Sequence, residues 1–131
     1  MDDTELLRYS RQIMLPELDI AGQQRLANAA VLIVGLGGLG SPLALYLASS
    51  GVGELVLVDD DHVDESNLQR QIIHTEASIG ANKAESAAAR IHALNNSTKL
   101  TSITHRLERK EFAELLETVQ LVFDATDNLA S

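Results

Sequence analysis

Four consecutive apolar residues, Val31-Leu32-Ile33-Val34, run directly into Gly35-Leu36-Gly37-Gly38-Leu39-Gly40. No other stretch constrains the fold of this chain as strongly. A continuous apolar run suits a strand buried on both faces of a parallel sheet. The glycines then set the geometry at its end. Gly35 permits a tight turn, Gly37 lets backbone approach a phosphate, and Gly40 allows a helix to pack closely on the strand. A helix starting here presents free N–H groups and the positive end of its dipole to an anion.

The rest of the chain continues the alternation. Residues 4–14 read as a short helix with Thr4 as cap and Leu6, Leu7 and Ile13 on one side, and Pro16 stops it. A second short helix is expected over 23–28. After the strand at 31–34, a helix over 39–50 tolerates Pro42 in its first turn, ends at Gly51, and turns Leu43, Ala44 and Leu47 inward. Residues 54–58 form a second strand with Asp59 at its C-terminal end. The connection over 60–81 is long, and such connections are often functional. A helix over 83–94 places Ala87, Arg90, Ile91 and Leu94 in helical spacing. Strand 99–105, helix 110–118 and strand 120–124 complete the series. This order predicts an α/β fold: a Rossmann-like parallel sheet of four strands with crossover helices. Residues 1–30 are expected to be a helical N-terminal extension. Residues 31–131 are expected to be a nucleotide-binding domain, incomplete at its C-terminus, the front part of a larger one.

Composition narrows the function. The 131 residues are 45% hydrophobic, enough for one real core. A formal net charge of −9 argues against nucleic acid and anionic membranes as partners. No basic residue falls between Arg25 and Arg70, whereas Glu54, Asp59, Asp60, Asp61, Asp64 and Glu65 do. With no cysteine, disulfides, Cys-based zinc sites and a cysteine nucleophile are excluded within these residues. Nothing resembles a signal peptide, and no apolar stretch reaches the roughly 18 residues that suggest a membrane span. A cytoplasmic protein is expected.

A glycine motif alone is a weak signal. Between a strand and a helix, with Asp59 nineteen residues after Gly40 to accept from ribose hydroxyls, it is a strong one for a nucleotide. It does not choose between NAD and ATP. The residues downstream of Asp59 do: Ser66-Asn67-Leu68-Gln69-Arg70-Gln71, then Lys83 at a helix start. A triphosphate that must release pyrophosphate needs cations at the leaving group, whereas a dinucleotide is largely served by the helix N-terminus. Taken singly, Arg70 or Lys83 would be an ordinary surface charge. At the end of the fourth strand, Asp127 in Asp124-Ala125-Thr126-Asp127-Asn128 reads equally as a Mg²⁺ ligand or a helix cap. Arg8 and Arg11 read as a solvated helix face. His62, His74, His92 and His105 lack metal-ligand spacing and read as surface or packing residues.

Taken in order, these segments closely resemble the ThiF/MoeB/HesA family of adenylating enzymes, relatives of ubiquitin-activating enzyme. The segments are Arg8-Tyr9-Ser10-Arg11-Gln12-Ile13, the glycine motif, Gly51-Val52-Gly53, Asp59, the run Ser66 to Gln71, Gly80 to Lys83, and Thr126-Asp127-Asn128. The resemblance covers nearly the whole chain. It implies that the C-terminal carboxylate of a small ubiquitin-like sulfur-carrier protein, ending in Gly-Gly, attacks the α-phosphate of ATP to give an acyl-adenylate and pyrophosphate, with Mg²⁺ as cofactor. It also implies roles. Backbone around Gly38 cradles phosphate, Asp59 holds the ribose, and Asp61, Leu68 and Asn128 belong to the nucleotide site. Asn67 and Arg70 orient the phosphates, with Ser66 to Gln69 beside them. Lys83 stabilises phosphate charge, Asp127 binds Mg²⁺, and Arg11 reaches the neighbouring subunit's triphosphate in a homodimer. The family's later half, with its Cys-x-x-Cys pairs for structural zinc, lies beyond these residues, so catalysis by them alone is not expected. Asn82 stands where proline is common, a departure expected to be minor.

The leading reading is therefore a sulfur-carrier adenylyltransferase of the molybdopterin-synthase type, with the thiamine-pathway type nearly as close. An NAD-dependent oxidoreductase would explain the glycine loop and Asp59 but gives Arg70 and Lys83 no task. A non-catalytic module, like the inactive subunits of heterodimeric activating enzymes, would tend to lack both cations.

Overall fold

The computed structural model describes residues 20–64 and 73–126, the side chain of Glu76 excepted. Four parallel strands form one sheet in the order β3-β2-β1-β4. They are β1 (Ala30–Val34), β2 (Glu54–Val58), β3 (Lys99–Ile103) and β4 (Leu121–Asp124). Helix α1 (Ile20–Ala27) precedes β1, α2 (Gly40–Ser50) joins β1 to β2, α3 (Lys83–Leu94) joins β2 to β3, and α4 (Arg109–Leu116) joins β3 to β4. The α/β Rossmann-like architecture is the one expected. No helix among the described residues is long and apolar enough to cross a membrane.

Strand alternation builds two apolar layers. Val31, Ile33, Leu55 and Leu57 face α2 and α3, with Leu36, Ala44, Ala48, Ile73, Ala84, Ala87 and Ile91 in the same cluster. Leu32, Val56 and Val58 face the other way, toward Leu107, Phe112, Leu115 and Val119 on and around α4. Both faces of β1 and β2 are thereby covered, which is why they read as unbroken apolar runs.

Several details differ from expectation. Helix α1 includes Ile20, ahead of the expected start at 23, because tertiary contact overrides the poor helix propensity of Gly22. Gly22 is buried, and the buried Gln23 donates from Nε2 to the Ser50 carbonyl at 2.9 Å. The line α2 buries is Gly40, Ser41, Ala44 and Ala48, while Leu43 and Leu47 are only half-buried beside it. Small residues win because this helix lies close against the sheet. On α3 the buried line is Lys83, Ala84, Ser86, Ala87 and Ile91, with Arg90 and Leu94 exposed. Arg90 lies roughly a quarter turn from the Ala84–Ala87–Ile91 line. Strand β3 ends at Ile103 rather than at 105, and α4 runs one to two residues earlier than expected at each end. Gly51 ends α2 with φ 98°, in the left-handed region, as its position suggested.

Candidate nucleotide-binding site

Sheet order reverses at β1: β2 and β3 lie on one side of it and β4 on the other. In open parallel sheets the crevice beyond the strand C-termini at such a point is where ligands bind. A crevice of about 690 Å³ opens there, lined by Val34, Val58 and Asp124 at the ends of β1, β2 and β4. Gly35, Gly37, Asp59, Asp60, Asp61 and Lys83 line it on one side, and the β3–α4 segment from His105 to Arg109 with Phe112 on another.

The glycine loop is held tightly. Gly35 has φ 96°, and a Cβ there would stand 2.9 Å from backbone atoms of Ala125. A Cβ on Gly40 would collide with the Gly35 carbonyl oxygen, so the loop closes on itself only with glycine at that position. Gly38 is exposed, with open space where a Cβ would go.

Asp59 ties this loop to β2. Its Oδ2 accepts from the Leu36 N–H and its Oδ1 from the Asp61 N–H, both at 2.8 Å. Lys83, only 7% exposed despite its charge, sits in the first turn of α3, with Nζ 3.5 Å from Asp61 Oδ2. The His62 N–H, donating to Asp61 at 2.9 Å, holds that carboxyl below its usual range, and the Lys83 ammonium adds to the effect. Asn82 joins these parts. Its Oδ1 accepts from the Ala84 and Glu85 N–H groups, capping α3, while Nδ2 donates to the Asp59 carbonyl at 2.7 Å and the Asp61 carbonyl at 3.3 Å. The substitution expected to be minor thus connects both acidic positions to the helix carrying Lys83.

The fold brings together seven of the residues singled out in the sequence: Gly35, Gly37, Gly38, Gly40, Asp59, Asp61 and Lys83. Arg11, Ser66, Asn67, Leu68, Gln69, Arg70, Asp127 and Asn128 lie outside the described residues. Sequence reasoning missed the β3–α4 segment, which carries no motif and lines the crevice. It took Asn82 for a minor departure, although its position before a helix was a readable capping signal; His74, read as a surface or packing residue, is buried. Among the described residues, no group of three or more acidic or histidine side chains is placed to hold a metal ion.

The ThiF family pattern matches residues 9–131. The chain belongs to the ThiF family. Its relatives within that family include mouse "Adenylyltransferase and sulfurtransferase MOCS3", 51% identical over 125 residues, and Escherichia coli K12 "Sulfur carrier protein ThiS adenylyltransferase", 47% identical over 131 residues. These matches take in 95% and 100% of this chain but 27% and 52% of the relatives, so the chain spans about a quarter to a half of their length. Among solved structures, the E. coli tRNA N6-threonylcarbamoyladenosine dehydratase TcdA in complex with ATP matches with a TM-score of 0.89 at 30% identity, over 98% of this chain and 52% of that one. PaaA matches with a TM-score of 0.87 at 32% identity, over 95% of this chain and 41% of that one.

Proposed function

We propose that this chain is the nucleotide-binding part of an enzyme that uses ATP to adenylate the C-terminal carboxylate of a small ubiquitin-like sulfur-carrier protein. The observation that carries this reading is Lys83, a nearly buried cation at the start of α3, on the same crevice as the glycine loop and Asp59. The names of its relatives, adenylyltransferases for sulfur carriers among them, support the choice of substrate. We assign it to the molybdopterin-synthase type, with the thiamine pathway as the second assignment.

The chemistry is governed by charge. A carrier carboxylate oxygen attacks the α-phosphorus of ATP, the bond to the bridging oxygen of the β-phosphate breaks, and pyrophosphate leaves with the electron pair. Preorganised cations where that charge collects lower the barrier. Lys83 and Arg70 serve this purpose, with Asn67 orienting the phosphates and Arg11 reaching across a homodimer. Backbone of Gly37 and Gly38 lies along the phosphates, and Asp59, with about two of its four acceptor sites used, has capacity for ribose hydroxyls. Asp61 is mostly exposed and gives up Lys83 to an incoming phosphate. Asp124, a carboxylate on the crevice, is an oxygen donor of the kind Mg²⁺ takes beside a phosphate. Asp127, three residues after Asp124, would hold the ion, which supplies charge neutralisation when bound. A cysteine-bound zinc does not fit these residues, which include no cysteine.

ATP–pyrophosphate exchange by the full-length enzyme with each candidate carrier tests the reading. Exchange is expected with one carrier, and Arg70→Ala is expected to lower it by roughly 10²–10³-fold with the fold intact. Exchange with neither carrier would overturn both pathway assignments. Tight NAD binding without ATP binding would favour an oxidoreductase instead.

A further inference from the structure

Leu36, inside the glycine loop, has both of its backbone polar groups engaged. Its N–H donates to Asp59, and its carbonyl accepts from Ser41 Oγ at 2.7 Å. A second partner for that carbonyl comes from far along the chain. His74, in the connection between β2 and α3, brings Nε2 to 2.9 Å from the Leu36 oxygen. Its Nδ1 lies 2.7 Å from Ser86 Oγ on α3. A carbonyl can only accept, so Nε2 carries the hydrogen and Nδ1 accepts from the Ser86 hydroxyl. His74 and Ser86 are both buried, so water is not at hand to replace a lost partner.

Peptide geometry gives this contact a consequence. In a planar trans peptide the carbonyl of one residue and the N–H of the next point in opposite directions. With the Leu36 oxygen turned to His74 and Ser41, the Gly37 N–H is turned away from them, and Gly37 lines the crevice. Glycine makes rotation of this peptide easy, and rotation would turn a carbonyl oxygen toward an incoming phosphate. The Ser41 bond spans only five residues and stays within the β1–α2 turn. His74 instead ties this carbonyl directly to Ser86 on α3, the helix that begins with Lys83.

We propose that His74 is a positioning residue for nucleotide binding: a neutral imidazole that pins the Leu36 carbonyl and so aims the Gly37 N–H into the crevice, in register with Lys83. This deepens the nucleotide reading and rests on it.

The test compares His74→Gln, which can still donate to the Leu36 carbonyl, with His74→Phe, which cannot. Amide hydrogen exchange is followed in the ligand-free chain at Leu36 and Ser41, with Leu32 in the core of β1 as internal reference. ATP affinity is measured by calorimetry on the same proteins. In His74→Phe the two loop amides are expected to exchange about tenfold faster relative to Leu32, and ATP to bind about tenfold more weakly. His74→Gln is expected to restore both to within about threefold of the parent chain. Unchanged loop exchange in His74→Phe would overturn the proposal. So would equal acceleration at Leu32 and Leu36 with no rescue by glutamine, because that marks a packing role only. If His74→Phe does not fold, Ser86→Ala replaces it, removing the hydroxyl that fixes the imidazole. The same local acceleration is expected there, and its absence overturns the proposal. If the parent chain binds no ATP, the nucleotide reading fails, while the exchange measurement still decides whether His74 pins the peptide.

Discussion

Gly38 and Gly40 lie two residues apart in one motif and answer to different constraints. A side chain at Gly40 meets the Gly35 carbonyl, whereas one at Gly38 meets nothing within 4 Å. Gly38 also lacks the positive φ found at Gly35. Gly40→Ala is therefore expected to cost about 1–3 kcal/mol, as an overpacked contact does, measured by urea unfolding. Gly38→Ala is expected to change stability by less than about 0.5 kcal/mol. It is nevertheless expected to weaken ATP binding in calorimetry, because the methyl group enters space a phosphate would use. Equal losses of stability in both variants would contradict this division.

At the level of elements, the critical joint is between the end of β2 and the start of α3. Asn82 caps the helix with one side-chain atom and holds the Asp59 and Asp61 carbonyls with the other. Lys83 N–H also donates to the Asp61 carbonyl at 2.9 Å, so the helix start and the acidic turn move together. Removing the cap costs about 1 kcal/mol, and losing the bond to Asp59 a similar amount. Asn82→Ala is expected to lose about 2 kcal/mol in urea unfolding, and Asn82→Asp, which keeps the cap acceptor but not the donor, about half of that. An Asn82→Asp variant as stable as the parent would show that the tie to β2 contributes nothing, and identical losses in the two variants would show that the cap contributes nothing.

For the molecule as a whole, His74 couples stability to pH. Burial pushes this imidazole below its ordinary value of 6.5, with the neighbouring Lys83 charge acting in the same direction, while the bond to the Leu36 carbonyl and the charge of Asp59 oppose it. The folded chain keeps His74 neutral where the unfolded chain already takes up a proton. Stability is therefore complete above about pH 6.5, falls as pH drops below it, and stops falling once pH is under the depressed folded value. Asp61 and Glu111 are also held low, by the His62 N–H and by His105 respectively, and their contributions are lost only in more acidic solution. Between about pH 7.5 and about pH 5.5 the urea midpoint is expected to fall more steeply for the parent chain than for His74→Gln. Parallel slopes would exclude His74 as the cause.

The linear order of residues was enough to define the sheet, because strands covered on both faces must be continuously apolar and the crossover helices must alternate with them. Strand β2 and helix α3 fall where the pattern put them, and β1 and α2 begin within one residue of it. The same order marked Gly35, Gly40, Asp59 and Lys83, since a loop that closes on itself and a charge at a helix start leave local signatures. Which face each helix buries was settled in three dimensions. Helix α2 turns its small residues to the sheet and leaves Tyr46, like Leu39 at its N-cap, 69% exposed, because close approach outweighs side-chain hydrophobicity there. Packing also chose the company those site residues keep. His74 meets Leu36 across 38 residues of sequence, and Asn82 meets Asp59 across 23. Contacts of that range have no period or spacing to betray them; they exist only once parallel strands bring their C-terminal ends to one edge of the sheet.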